Sequence, residues 1–356
     1  MRADRRSLLH SAAASALAST TLGAAAQPRA GSAPSPAAAP SRVLAPRLKE
    51  GDTLGLISPA NATYEREPLE IAVESLQALG FKVKLGQHVR GRWGHFGGSD
   101  EQRATDVNAM FADDEVDGVI ALTGGSGCTR IVDKLNYALI RRKPKFFGGF
   151  SDLTCLVNAI HKQTGLVTFH APVAESEWNE FSLRWFRAIV MEGQTPLLQN
   201  PRDRGAGLVQ TEGRTRALRA GRARGHLVGG NLTVLSAMAG SPYFPDCRGA
   251  ILFLEEINEY IYRVDRMLST LRLCGALDHL AGVVLGQFTN CGPGDGKFGV
   301  LTLDEVFDDY FLPLQVPVYR GAMIGHIRRK FTVPVGLPAE MDAEAGTLQL
   351  LEPAVR

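Results

Sequence analysis

The chain has no Cys-x-x-Cys pair and no His-Glu-x-x-His motif. A zinc knuckle, a thioredoxin-like redox site and a metalloprotease zinc pair are thereby excluded, and neither a metal nor a cofactor is expected. Its five cysteines (Cys128, Cys155, Cys247, Cys274, Cys291) are odd in number and widely spaced, which does not describe a disulfide framework. Net charge is scarce as well. The formal total is +2, and the first 26 residues hold Arg2, Arg5 and Arg6 against Asp4, so the remainder is near neutral and suggests no nucleic-acid partner. One uncharged stretch, Gly225 to Pro245, is long enough to cross a bilayer, but Gly229-Gly230-Asn231 and Ser241-Pro242 make it read as buried strand and helix pieces. No internal repeat is found.

What is present fits a soluble enzyme: 45% of the residues are hydrophobic and 21% charged, enough for two cores. Residues 1–26 read as an export signal, in which Asp4-Arg5-Arg6-Ser7-Leu8-Leu9 resembles a twin-arginine motif and a weakly apolar run ends at Ala24-Ala25-Ala26. Cleavage before Gln27 and a periplasmic location are expected, with no membrane span in the mature chain. Residues 27–46, rich in Ala, Pro and Ser, read as a flexible tether.

From about Leu48 strand and helix patterns alternate, with helices expected near Glu67 to Leu79, Glu101 to Ala112, Thr129 to Asn136 and Asp152 to Gln163. This predicts an α/β fold: an N-terminal parallel-sheet domain over 47–175, a linker over 176–207, and a smaller β-rich domain over 208–356. One amphipathic helix is expected in the second domain, with Ile261, Val264, Leu268 and Leu271 on one face.

Chemistry concentrates at a few element ends. The run Lys145 to Phe150 delivers Ser151 to a helix start, where its hydroxyl would stand clear of the sheet and the Asp152 amide could face an oxyanion. Ser151 reads equally as a helix cap, and the Gly-x-Ser-x-Gly elbow is incomplete because Leu153 replaces the last glycine. A serine nucleophile needs an imidazole and an orienting anion. Glu255, with Glu256 and Glu259 as rivals, and His326 stand where apolar runs end, although each could be a solvated surface group. The loop Gly124-Gly125-Ser126-Gly127 could hold an anion through its amides. It is no dinucleotide fingerprint, since Arg130 takes the place of the third glycine. Ser126 and Cys128 are rival nucleophiles there, more simply a turn residue and a buried small residue; His95 reads first as loop packing, and Gly229-Gly230-Asn231 as a cleft wall or a capped turn.

In order along the chain, Gly51 to Ala60, Gly124-Gly125-Ser126-Gly127 with Arg130, Gly149-Phe150-Ser151-Asp152, Gly229-Gly230-Asn231-Leu232, Leu254 to Glu259 and Gly325-His326 resemble the LD-carboxypeptidase family of serine peptidases. The resemblance implies an amidotransferase-like first domain, with Ser151 as nucleophile, Glu255 as acid and His326 as general base. It implies an oxyanion held by the Asp152 and Gly125 amides beside Gly124, with Arg130 and loop amides for a substrate carboxylate. Thr123 and Ser126 stand where the family usually has Arg and Tyr. The implied substrate is a murein tetrapeptide losing its terminal D-alanine, and a homodimer is compatible with it. Two other readings are a microcin-immunity-like deacylase of peptidyl nucleotides and a non-catalytic periplasmic solute-binding protein.

Overall fold

The computed structural model describes residues 40–295 and 301–356. The expected export signal and residues 27–39 of the expected tether lie outside the described residues. Residues 40–46 are not tether: Val43 bridges Leu166, Ala45 is buried, and the Ala45 carbonyl accepts the Arg356 amide at 2.9 Å. Val43, Leu44 and Ala45 interrupt the Pro/Ser composition, and this short apolar piece is what docks.

The first sheet runs Val333–Val335, Thr168–His170, Phe146–Gly149, Gly118–Ala121, Thr53–Ile57, Lys82–Leu85. Five of these strands are parallel, and their central members are buried on both faces, as helix-covered parallel strands must be. The chain steps from Thr53–Ile57 outward to Lys82–Leu85, then back past the first strand to Gly118–Ala121. That reversal opens a crevice at the carboxyl ends of the strands, where Asn61, Gly124 and Ser151 follow.

Three expectations are corrected. The helix expected near Thr129 to Asn136 is two short 3-10 turns, because the Asn136 side chain accepts the Leu139 amide and starts a separate helix, Tyr137–Arg142. The span 176–207 carries helix Glu180–Phe186 and strand Leu197–Gln199, the latter an edge of the second sheet. Among the described residues of 208–356, helix Leu303–Phe311 occurs beyond the amphipathic helix and the helix piece expected within Gly225 to Pro245, and Val333–Val335 returns to pair antiparallel with Thr168–His170 in the first sheet.

Among the described residues the second sheet has eight strands, with Arg222–Asn231, Ala250–Ile257, Gly282–Thr289 and Val318–Arg320 parallel at its centre. Side-chain alternation sorts its residues. Ile251 and Phe253 join the core shared with the first sheet, whereas Leu252 and Leu254 join a second core under the helices Ile261–Leu273 and Leu303–Phe311. Ile261, Val264, Leu268 and Leu271 are all buried in that second core.

The sheets meet through helix Thr154–Thr164. Asn158 donates to the Gly229 carbonyl at 2.8 Å, and Thr154 Oγ1 accepts the Asn231 amide at 2.9 Å. Gly229 has φ +137, and a Cβ there would lie 1.8 Å from the Phe253 carbonyl oxygen, a backbone atom of the adjacent strand that cannot yield. Gly229→Ala is therefore expected to lower unfolding free energy by at least about 3 kcal/mol. The midpoint of urea unfolding checks this, and an unchanged midpoint contradicts the packing described.

Candidate active site

After strand Phe146–Gly149 the chain turns through Ser151 at φ +64. That left-handed conformation costs a side-chain-bearing residue about 1–3 kcal/mol and is characteristic of functional turns. Glycines make the turn fit: a Cβ on Gly149 would stand 2.7 Å from Leu153 Cγ, and one on Gly124 would stand 2.9 Å from Ser151 Oγ. The strand-to-helix turn at Ser151 thus forms with Leu153 in place of the last glycine, and Gly124 from the neighbouring strand end gives room to the hydroxyl.

The glycine loop is fixed by neighbours on several elements. Asn61 donates its amide to the Gly124 carbonyl at 3.2 Å and accepts the Ser126 amide on Oδ1 at 3.0 Å. The Asp152 carboxylate accepts the Cys128 amide at 2.8 Å, tying the loop to the serine turn, and burial pushes its pKa up. Arg103, buried among these loops, donates to the Gly98 and Gly127 carbonyls. The Gly125 and Asp152 amides themselves make no hydrogen bond among the described residues.

Glu255 lies on the face of its strand that carries Ile251 and Phe253 towards the first sheet, and it is fully buried. Its Oε2 is 2.7 Å from His326 Nδ1. Gly325, at φ +118, allows this approach, since a Cβ there would lie 2.7 Å from the same carboxylate oxygen. A carboxylate on Nδ1 selects the tautomer protonated there, leaving Nε2 as the basic nitrogen. Nε2 makes no hydrogen bond among the described residues.

The other two glutamates are engaged elsewhere. Glu256, on the opposite face, accepts from Asn231 Nδ2 at 2.9 Å and from the Thr233 amide at 2.7 Å, and Glu259 pairs with Arg263 at 3.3 Å. Asn231 also caps helix Leu232–Ala237, so this motif both braces a helix end and receives Thr154.

Ser151, His326, Gly124 and Gly125 line one open cavity of about 380 Å³ together with Asn61, Phe150, Glu175 and Lys330. Its size suits part of a small ligand. Ser151 and His326 make no direct hydrogen bond, and catalytic hydrogen bonds often tighten only in the substrate complex. A larger cavity of about 890 Å³, lined by Phe288, Phe307, Arg320 and Arg328, contains none of these groups.

Three expected or rival residues lie apart. Arg130 does not line the Ser151 cavity: it forms a bidentate ion pair with Asp100 at 2.8–3.1 Å and packs over Trp93 and Phe96, because the loop 92–98 folds across it. Cys128 is buried, and burial pushes its thiol pKa well up, against thiolate chemistry. Ser126 Oγ pairs with His95 Nε2 at 2.9 Å, but no carboxylate orients that ring among the described residues. Sequence reading missed Lys330 and Asn61. It also missed His170, buried between Phe150 and Phe253, whose pKa burial pulls down to about 4, so that a neutral ring backs the site.

Residues 54–171 match the LD-carboxypeptidase N-terminal domain and residues 224–341 the LD-carboxypeptidase C-terminal domain. The chain is 37% identical over 302 residues to a probable murein peptide carboxypeptidase of Bacillus subtilis, covering 84% of this chain and 92% of the relative. The muramoyltetrapeptide carboxypeptidase from Oxalobacter formigenes superposes with TM-score 0.69 at 30% identity, over 84% of this chain and 97% of the other. The microcin C7 self-immunity protein MccF of Escherichia coli is 25% identical over 351 residues, covering 87% of this chain and 96% of that one. Its structure with glutamyl sulfamoyl guanosine, aligned at 24% identity, shares the fold with TM-score 0.78 over 88% of this chain and 99% of that chain.

Proposed function

The chain belongs to the LD-carboxypeptidase family and is a serine-type carboxypeptidase, and from that premise we propose that it removes the C-terminal D-alanine from murein tetrapeptides by a Ser151–His326–Glu255 triad. The single observation that carries the assignment is the 2.7 Å Glu255–His326 pair beside a cavity that also contains the left-handed Ser151 turn. Ser151 Oγ attacks the carbonyl carbon before D-alanine as His326 Nε2 takes the hydroxyl proton. The carbonyl electrons move onto oxygen, and the Gly125 and Asp152 amides receive the oxyanion. Collapse breaks the C–N bond while the imidazolium protonates the departing amine. Water, deprotonated by His326, then releases the peptide and restores Ser151. Glu255 keeps the ring oriented and offsets its transient charge.

Incubation of the purified protein with disaccharide tetrapeptide, followed by mass spectrometry, tests the reading. Loss of one alanine is expected. Cleavage of an aminoacyl sulfamoyl nucleoside with no attack on the tetrapeptide would favour the MccF-like deacylase, and tight tetrapeptide binding without turnover would favour a solute-binding role. The Arg5-Arg6 signal supports action on murein in the periplasm. Fractionation should find the protein there with its N-terminus at Gln27, and retention in the cytoplasm would contradict this location.

A further inference from the structure

A carboxypeptidase that acts only at a chain end must recognise the free carboxylate, and a cation at hydrogen-bond range is the ordinary way to do so. The basic groups around the site divide clearly. Arg130 is held by Asp100 and lies outside the cavity, while Arg328 forms a two-point ion pair with Glu177 at 2.6 and 2.7 Å. Lys330 is the one lysine or arginine among the residues lining the Ser151 cavity. It is 8% exposed, and its ammonium sits 4.0 Å from the ring centroid of Phe150, the residue preceding Ser151. Its backbone amide donates to Ser182 Oγ at 3.1 Å, which holds the main chain from which the side chain starts. The ammonium makes no ion pair or hydrogen bond among the described residues.

Resting on the carboxypeptidase reading, we infer that Lys330 is a substrate-binding residue whose ammonium pairs with the terminal carboxylate of the departing D-alanine. The side chain is mostly buried while its ammonium, resting on the Phe150 ring, has no anionic partner at ion-pair distance among the described residues, and an incoming carboxylate would supply one. Burial pulls its pKa down to about 8, opposed by the charges of Glu255 and Glu177. The charged or titratable groups around it are Glu255 from strand Ala250–Ile257, His170 from strand Thr168–His170, Glu175 and Glu177 from the 175–179 segment, and His326, Arg328 and Arg329 from its own loop. Protonated below about pH 8, Lys330 loses its charge as pH rises through that value, and with it the carboxylate contact.

The test compares wild type, Lys330→Met and Lys330→Arg on two probes, a murein tetrapeptide with a free terminal carboxylate and the same peptide as its carboxamide. Wild type is expected to favour the acid on the order of a hundredfold in kcat/KM, the usual worth of a hydrogen bond to a charged group. Lys330→Met should lose that preference through KM for the acid, and Lys330→Arg should keep most of it. Lys330→Met that retains the preference, or that lowers kcat equally on both probes, overturns the Lys330 assignment and leaves the carboxypeptidase reading standing. Wild type that turns over neither probe overturns both. Should Lys330→Met fail to fold, the pH profile of wild type decides: KM for the acid, and not for the amide, rises above about pH 8, and a flat KM overturns the assignment.

Discussion

Ser151→Ala is expected to lower kcat on murein tetrapeptide by on the order of a millionfold, with KM little changed. In the proposed mechanism the hydroxyl oxygen forms the covalent bond, so its loss would remove the acyl-enzyme route altogether. What would remain on this reading is the positioning of substrate and the proposed Gly125 and Asp152 oxyanion donors; in triad enzymes such groups sustain a residual rate about 10³–10⁴ above water. Folding should survive, because alanine keeps the same Cβ at φ +64 and removes only the hydroxyl oxygen. The neighbouring Ser126–His95 pair is not expected to rescue activity, since Ser126 does not line the cavity and no carboxylate steers its imidazole among the described residues. Steady-state kinetics with a matched thermal melt check this. A variant with ordinary turnover would remove Ser151 from the mechanism.

Glu255→Gln should cost about ten-thousandfold in kcat while binding persists, the size of effect seen when a triad's anion becomes an amide. The reason is tautomeric. Glutamine can present its NH₂ to Nδ1, which places the ring proton on Nε2, so that the nitrogen proposed to take the Ser151 proton is already protonated. Charge matters too, because the imidazolium formed during attack would lie beside a neutral group in a buried setting. Glu256→Gln is the informative control. That carboxylate serves Asn231 and the Thr233 amide on the other face of the strand, so its loss should appear in stability and not in the chemical step.

This contrast shows where sequence reading stops. Three glutamates follow one apolar run, and alternation along a strand separates Glu255 from Glu256 but does not say which side faces the serine. That is fixed by the packing of Ile251 and Phe253 on the first sheet, between segments distant in sequence. Periodicity was sufficient where local pattern governs: the first strand–helix alternation, the buried face of Ile261–Leu273 and the turn at Ser151. It failed where tertiary contacts choose. Val333–Val335 is three residues long, contains Pro334, and is a strand only because the Thr168–His170 edge receives it.

The placement of Arg130 outside the Ser151 cavity and of Lys330 within it has a related reason. An arginine beside a glycine loop looks available for a substrate carboxylate, but Asp100, capped into the first turn of its helix, claims it. The run Arg328-Arg329-Lys330 looks like a solvated basic stretch; two of its members remain exposed while the third turns inward over Phe150. Neither outcome can be read from spacing, because each depends on which loop from another strand lies opposite.

The most direct measurement is rapid-quench peptide mapping during turnover of the tetrapeptide. The account predicts a transient tripeptidyl acyl group on Ser151, carried by the tryptic fragment Phe146 to Lys162 and absent from Ser151→Ala. An acyl group mapped instead to Ser126 or Cys128, or one that persists when Ser151 is replaced, would contradict it.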